Sequence, residues 1–385
     1  MKILIPAKPK LIIDRLLTYG HQAGLVGGCL RNIILGLPVK DYDIATSATA
    51  EEMKQVFNDL TIISLGEKFG TLIIVVDREN IEVTTFRKES SYQDNRHPDS
   101  VEFVDSIEED LKRRDFTINA LFYNDRVGLI DMFHSIDDMN SRIIKAVGNP
   151  IERFQEDSLR ILRGLRFAAR LNFRIESDTS KAILQTYPLL ANIKAERIAV
   201  EIVEILSCNN IGPLIGEYIQ VFQQIVPDLD HVDTARLDEM MTLKLKLAVF
   251  FSSIKKPIDH FDVMMTLKLT VSSRLRKSDL KDIGIIISYK DRDISNIIQV
   301  YREIKWNKAL LKDIYTFFNQ AEQLETLPDI EIRDLKVTAD DIKKLGYPNE
   351  MIQQLLDVCF SNLLTKNVPN DKLLLCDLIT ELYPK

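Results

Sequence analysis

Two different hydrophobic periods run along the chain, and the change from one to the other divides it. Leu72-Ile-Ile-Val-Val-Asp77 and Ile81-Glu-Val-Thr-Thr-Phe86 are β-branched runs, the composition that fits a half-buried pleated surface. The polar Arg78-Glu79-Asn80 between them predicts a hairpin. Ala48 to Leu60 and Ile107 to Asp110 instead carry apolar residues at helical spacing. From Arg87 to Pro98 the sequence turns polar, which predicts a mobile surface loop. After Gly148-Asn149-Pro150 strand-like alternation stops, and nearly every segment to the C-terminus has helical period. Proline is tolerated in the first turn of a helix, so this break marks a domain boundary. Cys208-Asn-Asn-Ile-Gly-Pro213, the Pro257 region and Leu327 to Asp334 punctuate successive helix groups. The expected class is α+β, with a mixed-sheet part over residues 1–148 followed by an all-helical part.

Composition narrows this only slightly. A chain of 385 residues, 45% hydrophobic and 28% charged, is long enough for two to four packed units. No apolar run approaches membrane-span length, and the start Met1-Lys-Ile-Leu-Ile-Pro6 does not read as a signal peptide. The four cysteines form no Cys-x-x-Cys pair, so neither a zinc site nor a disulfide framework is expected and a reducing cytoplasm fits best. A net charge of −7 argues against nucleic-acid binding by the whole surface. Residues 151–200 reverse that sign locally, with nine Lys/Arg against six Asp/Glu.

The chemistry concentrates in three places. In Leu25-Val-Gly-Gly-Cys-Leu-Arg31, Gly27 and Gly28 let backbone approach a polyanion, and Arg31 adds a fork suited to phosphate oxygens. Ten residues on stand Asp41 and Asp43; on a strand, both carboxylates would share one face. Paired carboxylates beside a phosphate cradle suit Mg²⁺, which prefers a few carboxylates plus substrate phosphates. The second place is Leu111 to Leu121, where Arg114 reads as a nucleotide contact, with Asp115 and Asn119 serving ribose recognition or holding Arg114. Its plainer reading is a helix start with Asp115 near the N-cap. The third is the run Glu156 to Arg170, expected as one helix with Asp157 and Arg160 neighbours on one face. They form either an intrahelical ion pair or a base reader. In the second case the carboxylate accepts from an exocyclic amine and the guanidinium donates to the adjacent ring nitrogen, admitting C and A and rejecting U and G. Arg163 and Arg166 follow at three-residue steps, placed to hold a triphosphate.

In fixed order, Val26-Gly-Gly-Cys-Leu-Arg31 with Asp41-Tyr-Asp-Ile-Ala-Thr46, Glu82 to Arg87, Glu109 to Leu121, Arg153 to Arg163 with Arg166-Phe-Ala-Ala169, and Glu196-Arg-Ile198 resemble one family. It is that of the bacterial tRNA nucleotidyltransferases, the CCA-adding enzymes, which also includes bacterial poly(A) polymerase. The match covers about the first 210 residues. The resemblance implies a nucleotidyltransferase head (1–148), a helical neck for base recognition (149–212), a helical body (213–327) and a tRNA-binding tail (328–385). It implies that Asp41 and Asp43 bind catalytic Mg²⁺, and that Gly28, Arg31, Arg114, Arg163 and Arg166 contact the triphosphate. Asp157 and Arg160 would read the base. Glu82 is the candidate third catalytic carboxylate, or a solvent-facing strand residue. Substrates would be CTP, ATP and the acceptor end and T arm of tRNA; the sequence leaves a homodimer open and implies no membrane partner.

Two departures stand out. Asn32 replaces the usual Asp after Arg31, and loss of that charge is expected to loosen Arg31; His97 stands where the family often has a second arginine. Addition of only A, polyadenylation and a catalytically silent RNA-binding homologue are the alternatives. The full-length polar loop argues against a CC-only enzyme, Leu65-Gly-Glu-Lys-Phe-Gly-Thr71 looks like the CCA-adding form, and the Asp41/Asp43 pair speaks against a silent protein. Arg274-Leu-Arg-Lys277 and Lys343-Lys344 are tail contacts or plain solvated surface; Trp306 and Tyr347 are stacking platforms or core.

Overall fold

The computed structural model describes residues 2–90, 100–226, 228–254, 260–272 and 274–384. These divide into two compact units, Met1–Leu229 with Leu267–Ser272, and Asp230–Thr266 with Ser273–Lys385.

The first unit is built on a mixed sheet. Its strands are β1 (Ala23–Val26), β2 (Asp43–Thr46), β3 (Thr61–Gly66), β4 (Thr71–Val76), β5 (Glu79–Thr85), β8 (Phe122–Asn124) and β9 (Gly128–Ile130), with β6 (Arg87–Ser90) and β7 (Ser100–Phe103) forming a separate antiparallel ribbon. The strand order is β3-β4-β5-β2-β1-β8-β9. All neighbours are antiparallel except β2 and β5, which run parallel and set Asp43 opposite Glu82. The hairpin expected over 72–86 is present. Asp77 and Arg78 both take positive φ (47° and 65°), and Glu79 and Asn80 join β5, so the connection shrinks to two residues. A two-residue turn of that hand matches the twist of the strands it joins.

Helices α1 (Ala7–Thr18), α2 (Gly28–Ile34), α3 (Ala50–Val56), α4 (Ile107–Lys112) and α5 (Ser135–Asn140) flank the sheet sequence. The spacing over 48–60 yields α3, which opens with a capping box. Thr49 Oγ1 accepts from the Glu52 N–H, and the Glu52 carboxylate accepts from the Thr49 N–H at 2.8 Å. Val26, Ala45, Phe86, Ile107, Leu111 and Phe122 make a buried cluster in which β1, β2, β8 and α4 meet. Asn149 caps α6 (Pro150–Glu156), with Pro150 as its first residue, at the joint expected there. The unit then continues through α7 (Leu159–Leu171), α8 (Ser177–Thr186), α9 (Ala195–Leu206), α10 (Gly212–Glu217) and α11 (Ile219–Ile225). Strand pairing does not stop at 148: β10 (Ile143–Ile144) pairs in parallel with β11 (Arg174–Ile175), tying the helical stretch to the head.

The second unit holds α12 (Thr234–Glu239), α13 (Leu243–Phe251), α14 (His260–Thr266), α15 (Lys277–Ser288), α16 (Ile297–Glu303), α17 (Lys308–Phe317), α18 (Ala339–Lys344), α19 (Ile352–Leu364) and α20 (Lys372–Leu382). Trp306 and Tyr347 are buried, as core residues rather than exposed platforms; the Trp306 ring stands edge-on to Phe360 at 4.9 Å and its indole N–H donates to Asp357. Arg276, Lys277, Lys343 and Lys344 are exposed, and Arg276 pairs with Asp279. The loop expected up to Pro98 falls at 91–99, with Tyr92 and His97, outside the described residues, as does the joint at Pro257. Its first residues, Arg87–Ser90, are strand. No helix among the described residues is long and apolar enough to cross a membrane.

Candidate active site

A cleft of about 840 Å³ opens in the first unit, and its lining comes from distant stretches of chain. Gly27, Gly28 and Arg31 arrive from the β1–α2 turn, Asp43 from β2 and Glu82 from β5. Arg113, Arg114, Asp115 and Asn119 follow from the segment after α4, Asp157 from the α6–α7 junction, and Arg160, Arg163, Arg166, Phe167 and Arg170 from α7.

Gly27 takes φ 69° at the entry to α2, where a Cβ would stand 3.2 Å from Arg114 Nη1. The turn therefore needs glycine for its conformation and for its closeness to Arg114. Gly164 lets α7 lie on the Phe116 ring, 2.9 Å from where its Cβ would be.

The carboxylates differ from the expected arrangement in one respect. β2 begins at Asp43, so Asp41 lies on the preceding loop, exposed and outside the cleft lining. The strand is too short to put both on one face. Burial pushes the Asp43 carboxyl up to about 6, with Glu82 and Asp41 adding in the same direction against the Arg114 charge. Both neighbouring carboxylates thus act on Asp43. Among the described residues no group of three or more His, Cys, Asp or Glu side chains forms a metal cage. Mg²⁺ does not require one. One or two carboxylates completed by substrate phosphates suffice, and Asp43 beside Glu82 offers two hard-oxygen ligands on neighbouring strands.

Arg31, Arg113, Arg114, Arg160, Arg163 and Arg166 are each held by specific partners. Arg31 is 5% exposed and donates from Nη1 to Asn119 Oδ1 at 2.6 Å. Asn32 Oδ1 accepts from Arg31 Nε (3.1 Å) and Nη2 (2.9 Å), while Asn32 Nδ2 donates to the Pro38 carbonyl. The amide thus provides the two-pronged grip whose loss was expected from the missing Asp. Burial, and then the charges of Arg170 and Arg166, push the Arg31 guanidinium down to about 10. Arg114 is not held by the Asp115 side chain. It pairs with Asp110 at 2.9 Å, as does Arg113 at 2.6 Å, and receives from Asn119 only a backbone carbonyl at 3.4 Å. Asp110 is 1% exposed, and both arginines hold its carboxyl below the usual range despite burial. Asp115 instead takes Arg163 at 2.6 Å and the Asn119 amide at 3.1 Å. Arg163 and Asn119 keep its carboxyl well below the usual carboxylate range against the opposing effect of burial. Arg166 pairs with the buried Glu201 of α9 at 2.6 Å. Arg31, Arg163 and Arg166 all approach the Phe167 ring, at 5.1, 5.6 and 4.7 Å from its centroid.

The expected single helix over 156–170 is broken. α6 ends at Glu156, Asp157 is extended (φ −140°, ψ 102°) and α7 starts at Leu159. Asp157 and Arg160 consequently make no intrahelical pair with each other. Asp157 binds Arg197 of α9 at 3.0 Å, and Arg160 binds Glu156 at 2.6 Å and the carbonyls of Arg153 and Arg113. Both still line the cleft.

Asp110, Glu201, Arg113, Phe167 and Arg170 are the residues that motif reading passed over. Asp110 was within reach, since it precedes Arg113 and Arg114 by three and four positions near a helix end. Glu201 carried no local signal because its partner is on another helix.

With this geometry, residues 23–145 match the model of the poly A polymerase head domain, and residues 172–232 that of a probable RNA and SrmB-binding site of polymerase A. The head-domain match takes in the β1–α2 turn, Asp43, Glu82 and the segment after α4. The resemblance drawn from the motifs is borne out. Similar proteins include the CCA-adding enzyme of Enterococcus faecalis, 49% identical over 195 residues, 51% of this chain and 48% of that one. The CCA-adding enzyme of Limosilactobacillus reuteri is 43% identical over 234 residues, 60% and 57% of the two chains. The chain spans about half the length of the curated relatives it matches. The crystal structure of the Bacillus stearothermophilus CCA-adding enzyme in complex with CTP is similar at a TM-score of 0.74 and 26% identity, over 98% of each chain. That of the Thermotoga maritima enzyme complexed with tRNA has a TM-score of 0.73 at 20% identity over the whole of both, a likeness of fold.

Proposed function

We propose that this chain is a template-independent tRNA nucleotidyltransferase that adds C, C and A to the tRNA 3′ end from CTP and ATP, with release of pyrophosphate. The observation that carries this is the composition of one cleft: Asp43 and Glu82, in register on adjacent strands, line it together with arginines anchored by carboxylates and amides. Triphosphate recognition falls to Arg31, Arg114, Arg163 and Arg166 with the backbone at Gly28. Their partners fix the guanidiniums before substrate arrives, so little ordering cost remains on binding.

Base selection falls to Asp157 and Arg160. Each is oriented by its own ion pair, Arg197 for one and Glu156 for the other. Asp157 accepts from the exocyclic amine of C or A, and Arg160 donates to the neighbouring ring nitrogen; U and G would oppose acceptor to acceptor and donor to donor. Asp41 and Asp43 would hold Mg²⁺, with Glu82 the candidate third carboxylate. When bound, two such ions lower the pKa of the RNA 3′-hydroxyl and stabilise charge on the departing pyrophosphate. In this reading residues 149–212 form a neck carrying the base reader, 213–327 a body, and 328–385 a tail meeting the acceptor end and T arm through phosphate contacts.

The deciding experiment incubates a tRNA transcript lacking its last three nucleotides with Mg²⁺ and CTP, ATP or both. Growth by two with CTP and by three with both is expected. Growth only from a transcript already ending in CC would make this an A-adding enzyme. Long tails from ATP alone would make it a poly(A) polymerase, and no growth a silent homologue.

A further inference from the structure

α7 presents its arginines to the cleft at positions 160, 163, 166 and 170, and the last differs from the rest. Arg160, Arg163 and Arg166 each have a carboxylate partner, in Glu156, Asp115 and Glu201. Arg170 is exposed and, among the described residues, makes no hydrogen bond or ion pair. It follows Arg166 by four positions and Arg163 by seven, so all three lie along one helix face, where like charges repel. Arg31 lines the same cleft, buried and without a carboxylate hydrogen-bonded to its guanidinium. The positive charge of Arg170 opposes ionisation of Arg31, second only to burial itself. Without ligand, Arg170 and Arg31 therefore disfavour each other. An anion of high charge density placed between them would remove the repulsion and supply the missing acceptor.

We propose that Arg170 binds the outer phosphates of the incoming nucleotide, extending the Arg163–Arg166 face to the β- and γ-phosphoryl groups. The proposal rests on the nucleotidyl-transfer reading of the cleft and adds a residue to it. The competing explanation is structural: a cation in the last turn of α7 interacts favourably with the helix dipole. That role concerns stability, and lysine fills it as well as arginine. A phosphate contact concerns affinity, and only for ligands carrying the outer phosphates.

The test measures equilibrium binding of CTP, CMP and inorganic pyrophosphate to the full chain and its Arg170→Ala, Arg170→Lys and Arg170→Glu variants, with thermal midpoints in parallel. Arg170→Ala should weaken CTP and pyrophosphate about tenfold, the usual worth of one charge-assisted contact. CMP binding and the thermal midpoint should not move. Lysine should recover part of the loss and glutamate deepen it. Unchanged CTP affinity in Arg170→Ala overturns the proposal. So does equal weakening of CTP and CMP, or an effect confined to the KM for tRNA, which would assign Arg170 to the primer. If the wild-type chain binds pyrophosphate through Arg170 but not CTP, the phosphate site stands and the nucleotide reading falls. If it binds neither, both fall.

Discussion

Gly27 shows how a single residue carries the site. Its φ of 69° and ψ of −136° lie where side chains are strained by about 1–3 kcal/mol, and an added Cβ would press on Arg114. Gly27→Ala should lower stability by roughly that amount and weaken CTP binding as well, read by denaturant titration and calorimetry; wild-type CTP affinity would contradict the assignment of this turn. Asp43 makes the complementary case. Its carboxyl, raised to about 6, binds a proton in the folded chain that the unfolded chain has released above about pH 4. Stability contributed here is therefore present below about pH 4 and lost as pH rises through 6. Asp43→Asn should stabilise the metal-free protein at pH 7.5 by about 1–2 kcal/mol and abolish nucleotide incorporation. By the same shift, Mg²⁺ should bind more weakly to the wild type at pH 5.5 than at pH 7.5, since ligation needs the carboxylate. A pH-independent affinity would remove Asp43 from the metal site.

At the scale of elements, α4, the segment that follows it and α9 hold the arginines in place through Asp110, Asp115 and Glu201. Asp115→Asn leaves the hydrogen bond to Phe116 N–H available but removes the charge facing Arg163. A loss of about 2–3 kcal/mol is expected. Because the Asp115 carboxyl is depressed, its stabilisation is present above about pH 4 and fades as pH falls toward the folded value. The mutant should therefore have a flatter acid-unfolding profile; an unchanged profile would contradict the pairing. The break between α6 and α7 belongs here too. Phe154, Ile161 and Leu162 stand at i, i+7 and i+8 across it, an apolar helical rhythm, and all three are buried. Nothing in that rhythm signals a stop at Asp157. The extended residue is stabilised by Arg197, contributed by α9, and no local pattern contains that information.

At the scale of the whole molecule, the two compact units each bury a thiol. Burial pushes Cys29, in the first, up to about 11 and Cys359, in the second, up to about 12. Protonated and enclosed, both should resist a thiol reagent at pH 8 in the native protein and react only on unfolding, whereas the half-buried Cys208 and Cys376 remain accessible. Following the two protected positions by mass spectrometry along a denaturant series would report the opening of each unit separately. Rapid native labelling of Cys29 would contradict the packing of α2 against β1.

The sequence alone determined the β4–β5 hairpin, the helix over 50–56, the passage from sheet to helices near 148 and the motif order that carries the resemblance. These depend on residues a few positions apart, whose propensities and spacing are physically local. Which carboxylate holds Arg163, and which holds Arg166, was decided only by the tertiary structure. So were the parallel pairing that sets Glu82 beside Asp43, the loop position of Asp41 and the break at Asp157. Charged side chains are not periodic, and their partners are chosen by burial, where an unpaired charge is costly and the nearest opposite charge comes from whichever element the fold brings alongside.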